Sequence, residues 1–260
     1  MSNVVATWLW GLWPISLLAV VAWGVCTMKR NVGLIDIFWS LFLLIAGISF
    51  TLTSIELSAT AWLVLLLLTA WALRLAVHLA MRNWSAPEDH RYQEIRARNQ
   101  PGFEWKSIYL VFLLQAVLAW IVSASLVAAI TSQNLNQMLV YSGAILALFG
   151  FLFESTADLQ LTRFRANSAN RGQVLQTGLW KYTRHPNYFG ECCFWWGMFL
   201  MGASLSTLWT LISPLLMTVL LMRVSGVALL EKSISDRRPA YRDYVARTNA
   251  FFPGPPKELP

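Results

Sequence analysis

The sequence predicts an all-α, polytopic membrane bundle of seven transmembrane helices, with its N-terminus outside and its C-terminus cytoplasmic. Three observations predict it. The first is composition: of 260 residues, 57% are hydrophobic and only 13% are charged, against about 25% charged in an ordinary soluble domain. That is too little charge to cover a water-facing surface. It excludes a soluble enzyme, a disordered chain and a secreted disulfide scaffold. The second is the presence of seven apolar stretches long enough to cross a hydrocarbon core, which takes about 20 helical residues. The third is the placement of the basic residues.

Taken in order, the spans are expected at about 5–27, 33–53, 59–81, 108–131, 138–156, 188–205 and 208–230. They form one membrane domain over 1–260, ending in a cytoplasmic tail at 231–260. The first span stops at Lys29-Arg30, the third at Arg82. The fourth follows a polar loop over 82–107. The fifth runs into a second polar loop over 157–187, which has the pattern of an interfacial helix turning at Gly172. The last two are separated by Ser204, Leu205 and Ser206. Eighteen of the twenty Lys and Arg fall in the 28–32 turn, the 82–107 and 157–187 loops and the tail. The N-terminus and the alternate loops hold none. By the positive-inside rule, all the basic loops face the cytoplasm. The formal net charge of +7 is thus a matter of membrane orientation, and nucleic acid is not expected as a partner. The 14 Trp suit aromatic belts at two interfaces. The expected location is a bacterial inner membrane. Cys26, Cys192 and Cys193 sit in apolar runs without ligand spacing and read as packing residues. No metal is expected.

Charge inside a bilayer costs at least about 2.5–3.5 kcal/mol on insertion scales, so each such residue needs a partner or a task. Asp36 lies one turn into the second span. Arg74, His78 and Arg82 recur every four residues and share one helical stripe. At its foot comes Pro87-Glu88-Asp89-His90-Arg91-Tyr92, either a solvated helix or a ligand contact. Glu154 and Asp158 lie one turn apart at the inner end of the fifth span, with Arg163 and Arg165 following. The densest stretch is TGLWKYTRHPNYFGE, from Thr177. Lys181, Arg184 and His185 precede a chain break at Pro186, Asn187 is placed to cap the next helix, and Tyr188 and Glu191 fall in its first turn. Basic donors at a helix start make an anion site, and Gly190 allows close approach. A phosphate-bearing cofactor accounts for these donors together.

This stretch resembles the signature of membrane reductases related to steroid 5α-reductases, and most closely their mainly bacterial DUF1295 branch. LIDIFW, LRLAVHLAMR with EDHRY, and ESTADLQLTRF extend the resemblance over about 30–250. It implies a seven-helix enzyme with NADPH in a cytoplasmic pocket. Carried over by position, Asn187 and Glu191 contact the nicotinamide or its ribose, and Asp158 the pyrophosphate or adenosine. Arg91, Arg163, Arg165 and Arg184 take phosphates. Lys181, His185, Tyr92 and Tyr188 join the cofactor set, and Arg237, Arg238, Tyr241 and Tyr244 close the pocket from the tail. The steroid enzymes carry a Gln-Glu pair in span two and a Tyr in span three. Here Asp36 lies near the Glu position and Trp71 near the Tyr. Trp39, Trp71 and Arg74 are assigned to the substrate pocket.

The expected reaction is NADPH-dependent reduction of a conjugated double bond in a hydrophobic, steroid-like or other lipid enone entering from the bilayer. Hydride comes from the nicotinamide and a proton from an acid, Asp36 first and His78 second. One alternative is an S-adenosylmethionine-dependent methyltransferase of a lipid or isoprenylcysteine-type thiol, since such enzymes share an RHP-type segment. Another is a non-enzymatic lipid-binding membrane protein.

Overall fold

The structure, a computed structural model, describes residues 2–54, 56–133, 135–224 and 240–257. Among the described residues there are helices and turns and no strand. Among the described residues, six helical segments are long and apolar enough to cross a membrane: Val4–Met28, Val32–Thr51, Ala59–Asn83, Phe103–Thr131, Gln137–Ala166 and Leu205–Arg223. Each overlaps an expected span. The expected crossing at 188–205 is instead a helix of sixteen residues, Pro186–Met201. At about 1.5 Å per residue it is about 24 Å long, short of a core of about 30 Å. Pro186 starts it two residues before the expected bound, but it ends at Met201, with Gly202 and Ala203 separating it from the Leu205–Leu211 segment.

The chain divides into two units, Met1–Val140 with Met201–Ser213, and Tyr141–Leu200 with Pro214–Pro260. The first contains α1 (Ser2–Trp10), α2 (Leu12–Met28), α3 (Ile35–Thr51), α4 (Ala59–Asn83), α5 (His90–Arg98), α6 (Phe103–Ser107), α7 (Leu114–Val122) and α8 (Ala124–Thr131). A π-helical stretch, Ile108–Leu113, joins α6 to α7.

Helix α3 is the axis of this unit and packs on α2, α4, α7 and α8. Its Phe42, Leu43, Ala46 and Phe50 are fully buried, as are Leu68, Trp71 and Ala72 of α4 and Leu126 to Ile130 of α8. Gly47 permits the α3–α4 contact, because a Cβ there would stand 2.5 Å from Leu68 Cδ2. The Ser40 hydroxyl donates to the Ala72 carbonyl at 2.9 Å and fixes the same pair. The Ser58 side chain caps α4 by accepting from the Ala61 N–H at 3.1 Å. The opposite faces stay apolar. Trp13 and Leu17 on α2 and Trp62 and Leu66 on α4 are each more than 60% exposed, as helices facing lipid require. Trp8 and Trp120 stack with centroids 4.0 Å apart. Each indole N–H donates to the other's backbone carbonyl, at 2.9 and 2.8 Å.

The second unit is built on α9 (Gln137–Ala166) and α10 (Pro186–Met201), with α11 (Ile212–Val219) and α12 (Ala240–Arg247). Helices α9 and α10 cross where side chains are absent. A Cβ on Gly150 would lie 2.4 Å from the Gly190 carbonyl oxygen, and one on Gly190 would lie 2.5 Å from the Glu154 nitrogen. Gly197 repeats the contact one level along, against Gly143 and Ala147. The approach foreseen at Gly190 is thus made by the α9 backbone. Helix α9 continues three turns past its expected end, to Ala166, and the chain turns at Gly172 with φ +84°.

Candidate functional site

In the first unit the EDHRY segment forms a latch onto the start of α3. Glu88 accepts the Val32 N–H at 2.7 Å and two hydrogen bonds from Arg96, each at 2.9 Å. Donating these bonds to Glu88 raises Arg96 above its usual pKa, against the effect of burial. Arg96 also lies over the Phe103 ring, 4.7 Å from its centroid. Asp89 caps α5 by accepting from the Arg91 N–H at 3.0 Å. Burial alone would raise the Asp89 pKa, but the hydrogen bonds and charge of Arg91 outweigh it and hold the carboxyl below its ordinary range. Of the two readings of EDHRY, the solvated helix with salt-bridging charges is what forms: His90–Arg98 is helical and largely exposed, with ion pairs Arg96–Glu88, Arg98–Glu94 and Arg91–Asp89. Replacing Glu88 by Ala strands the Val32 N–H and the Arg96 fork. The free energy of local opening of α5 is expected to fall by about 2–3 kcal/mol, read as faster amide exchange over 88–98.

This latch delivers two side chains to Asp36. The Tyr92 hydroxyl donates to Asp36 Oδ1 at 2.6 Å, and Arg91 Nη2 donates to Oδ2 at 3.3 Å. Arg91 also donates through Nε to Asp89 at 2.9 Å, so it sits between two carboxylates. Burial works against its charge, but Asp89 and Asp36 hold the guanidinium above its usual pKa. Tyr92 is pushed well up by burial and then by the Asp36 carboxylate. Gln115 Nε2 donates to the Tyr92 oxygen at 3.1 Å. The result is a directed chain, Gln115 to Tyr92 to Asp36. Gln115 was not foreseen, although an amide within the apolar run of span four is the signal that could have found it. It lies two residues after the end of the π-helical stretch, and such irregular turns often mark functional sites. Tyr92, expected at the cofactor, is placed on Asp36. Arg74, His78 and Trp39 are half-buried, whereas Trp71 is fully enclosed in the α3–α4 core.

In the second unit the signature is pinned at both ends. Gln160 of α9 fills the space over Gly178 and accepts from the Leu179 N–H at 3.0 Å, and the Trp180 indole donates to the Ala157 carbonyl at 3.1 Å. Pro186 is the first residue of α10, where its missing N–H costs nothing. Asn187 therefore lies inside the first turn and is not the cap. Its Nδ2 instead donates to Asp158 Oδ1 at 3.2 Å, which unites two residues expected at the cofactor. Glu154, Asp158, His185 and Glu191 are buried, and Tyr188 stacks on the His185 ring.

Arg184 is also buried. Its Nη1 donates to the Val245 carbonyl at 3.1 Å and to the Thr248 carbonyl, and its N–H donates to the Asn249 carbonyl at 2.9 Å. A cavity of about 770 Å³ is lined by Leu161, Phe164, Arg165, Arg171, Trp180, Arg184, Tyr241 and Tyr244 together with the 166–175 loop. Four residues expected at the cofactor thus line one cavity, while Arg171 and Trp180 were missed. Arg163 and Lys181 are exposed and are not among the cavity's lining residues. Arg237 and Arg238 lie outside the described residues. Among the described residues no group of three His, Cys, Asp or Glu converges to hold a metal ion.

No solved structure matches the chain. It is 25% identical over 273 residues to the uncharacterized protein C594.04c of Schizosaccharomyces pombe, an alignment covering 91% of this chain and 77% of that protein. The model of the family described as "Protein of unknown function (DUF1295)" matches residues 22–248, and the chain belongs to that family.

Proposed function

We propose that the protein is an NADPH-dependent membrane reductase acting on the carbon–carbon double bond of a hydrophobic enone. The observation that carries this reading is the cavity where Arg165, Arg184, Tyr241 and Tyr244 meet. Its size is that of a ligand site. Trp180 and the two tyrosines offer flat aromatic faces to an adenine ring. Arg165 and Arg171, both exposed, offer planar donor forks to phosphates. The bonded pair Asp158 and Asn187, with buried Glu191, suits ribose hydroxyls and a carboxamide. A bound nicotinamide supplies the hydride.

In this reading Asp36 is the acid that supplies the proton. Its side chain keeps 23% exposure while both oxygens are engaged. When the acid gives its proton to the substrate, a carboxylate remains. Arg91 and the Tyr92 hydroxyl are donors aimed at that product, and Gln115 keeps the Tyr92 proton directed at Asp36. They stabilise the charge as it develops and need no rearrangement to do so. The substrate enters from the bilayer, and the cofactor from the cytoplasm.

Thermal-shift titration of the purified protein tests the cofactor. NADPH at about 100 times its Kd is expected to stabilise the fold by about 2.7 kcal/mol, and enone lipids are then expected to oxidise it. Preferential stabilisation by S-adenosylmethionine would favour the methyltransferase. Stabilisation by neither, with retained lipid binding, would leave the non-enzymatic reading.

A further inference from the structure

Thr183 and Arg184 of the signature both donate hydrogen bonds to the chain's own C-terminal segment. The Thr183 hydroxyl donates to the Phe251 carbonyl at 2.9 Å and to Ala250 at 3.3 Å. Arg184 reaches the carbonyls of Val245, Thr248 and Asn249. The segment answers in kind. The Tyr244 hydroxyl donates to the Trp180 carbonyl at 2.5 Å, and the Gly254 N–H donates to the Tyr182 carbonyl at 3.1 Å. Phe251, itself buried, packs on the Phe189 ring of α10. These carbonyls belong to the last turn of α12 and the residues after it. The C-terminal groups of a helix need donors, and a guanidinium set against a negative dipole end is well matched to them.

The same segment supplies Tyr241 and Tyr244 to the cavity wall. We propose that Thr183 and Arg184 are positioning residues that build this cavity by strapping the C-terminal segment across the signature, and that Arg184 does not serve as a phosphate ligand. The strap is a property of the chain alone; its coupling to NADPH rests on the reading above. A ligand that binds between the strapped wall and the 166–175 loop binds best when the strap is closed. Closure and affinity are then linked reciprocally.

The test is hydrogen–deuterium exchange of the full-length protein in detergent, with and without NADPH, for the wild type and for Arg184→Ala, Arg184→Lys and Thr183→Val. Losing charge-assisted bonds to two carbonyls is expected to speed exchange over 245–257 by at least about tenfold in Arg184→Ala, with α9 and α10 unchanged. NADPH affinity is expected to fall along with it, and wild-type exchange over 245–257 to slow when NADPH is bound. Arg184→Lys, which keeps a donor, is expected to recover part of both effects. Thr183→Val is expected to give the same local pattern at smaller size, and it serves as the measure if Arg184→Ala also loosens α9 and α10. Lost NADPH affinity with unchanged exchange over 245–257 would overturn the proposal and return Arg184 to the phosphates. Loosening of the segment in a protein that binds no NADPH would uphold the strap and refute the dinucleotide reading.

Discussion

Asp36→Asn is expected to slow enone reduction by about 10²- to 10⁴-fold, the range typical of a lost general acid, while NADPH affinity stays as in the wild type. The substitution keeps the size of the side chain and an acceptor for the Tyr92 hydroxyl, which donates to Asp36 at 2.6 Å. It removes the ionisable proton and the charge facing Arg91. Tyr92→Phe tests the supporting chain. It leaves the acid in place but deletes a donor to the carboxylate and strands the Gln115 amide, so a smaller loss is expected, on the order of tenfold. Stopped-flow oxidation of NADPH with a saturating enone separates the two. A wild-type rate in Asp36→Asn would remove Asp36 from the chemistry and turn attention to His78. The effect is expected to be large because neither side chain on Asp36 gives up a proton readily: Arg91 holds its charge firmly, and Tyr92 is held well above its ordinary pKa.

The second large effect is on stability. Gly150→Ala is expected to destabilise the second unit by about 3 kcal/mol, the upper part of the usual range for overpacking. The new Cβ would stand 2.4 Å from the Gly190 carbonyl oxygen and 2.5 Å from the Phe194 nitrogen. Both are backbone atoms of α10, so relief requires the helices to separate. Separation would also pull Asp158 away from Asn187. Gly24→Ala is the control. No atom lies within 4 Å of the position its Cβ would take, and alanine favours a helix by nearly 1 kcal/mol over glycine, so no loss is expected. Denaturant unfolding in detergent, followed by tryptophan fluorescence, measures both. Equal stability in the two variants would show that the α9–α10 crossing tolerates a wider spacing.

Much of the fold was legible because a bilayer imposes one rule everywhere. A crossing must be apolar, helical and about 20 residues long. Six helices follow that rule, at positions close to those expected from hydropathy. Pro186–Met201, at sixteen residues, is shorter than that rule requires: an apolar run states that a segment avoids water and leaves its helical length to be set by the packing. Nearly every face of this helix is buried, and a core helix needs no fixed length. The candidate site was legible as a set of residue types. Asp158 and Asn187, both named from the family resemblance, bond to one another. Their pairing is tertiary, and it arises because Gly150 and Gly190 let α9 and α10 approach backbone to backbone.

Sequence alone determined that this chain belongs in a membrane and which of its few polar residues lie within or beside the apolar helices. Composition and hydropathy sum over the chain, and a charge placed in lipid is costly wherever the rest of the fold lies. Only the tertiary structure decided what each polar group does. Arg184 read as an anion donor, and its Nη1 donates to carbonyls of the C-terminal segment. Tyr92 read as a cofactor contact and stands on Asp36, oriented by Gln115. A guanidinium or a phenol has the same hydrogen-bonding capacity in either role. Its partner is chosen by which acceptors the packing brings within about 3 Å, and those lie 61 residues along the chain for Arg184 and 56 for Tyr92. Separations of that length leave no periodicity to read.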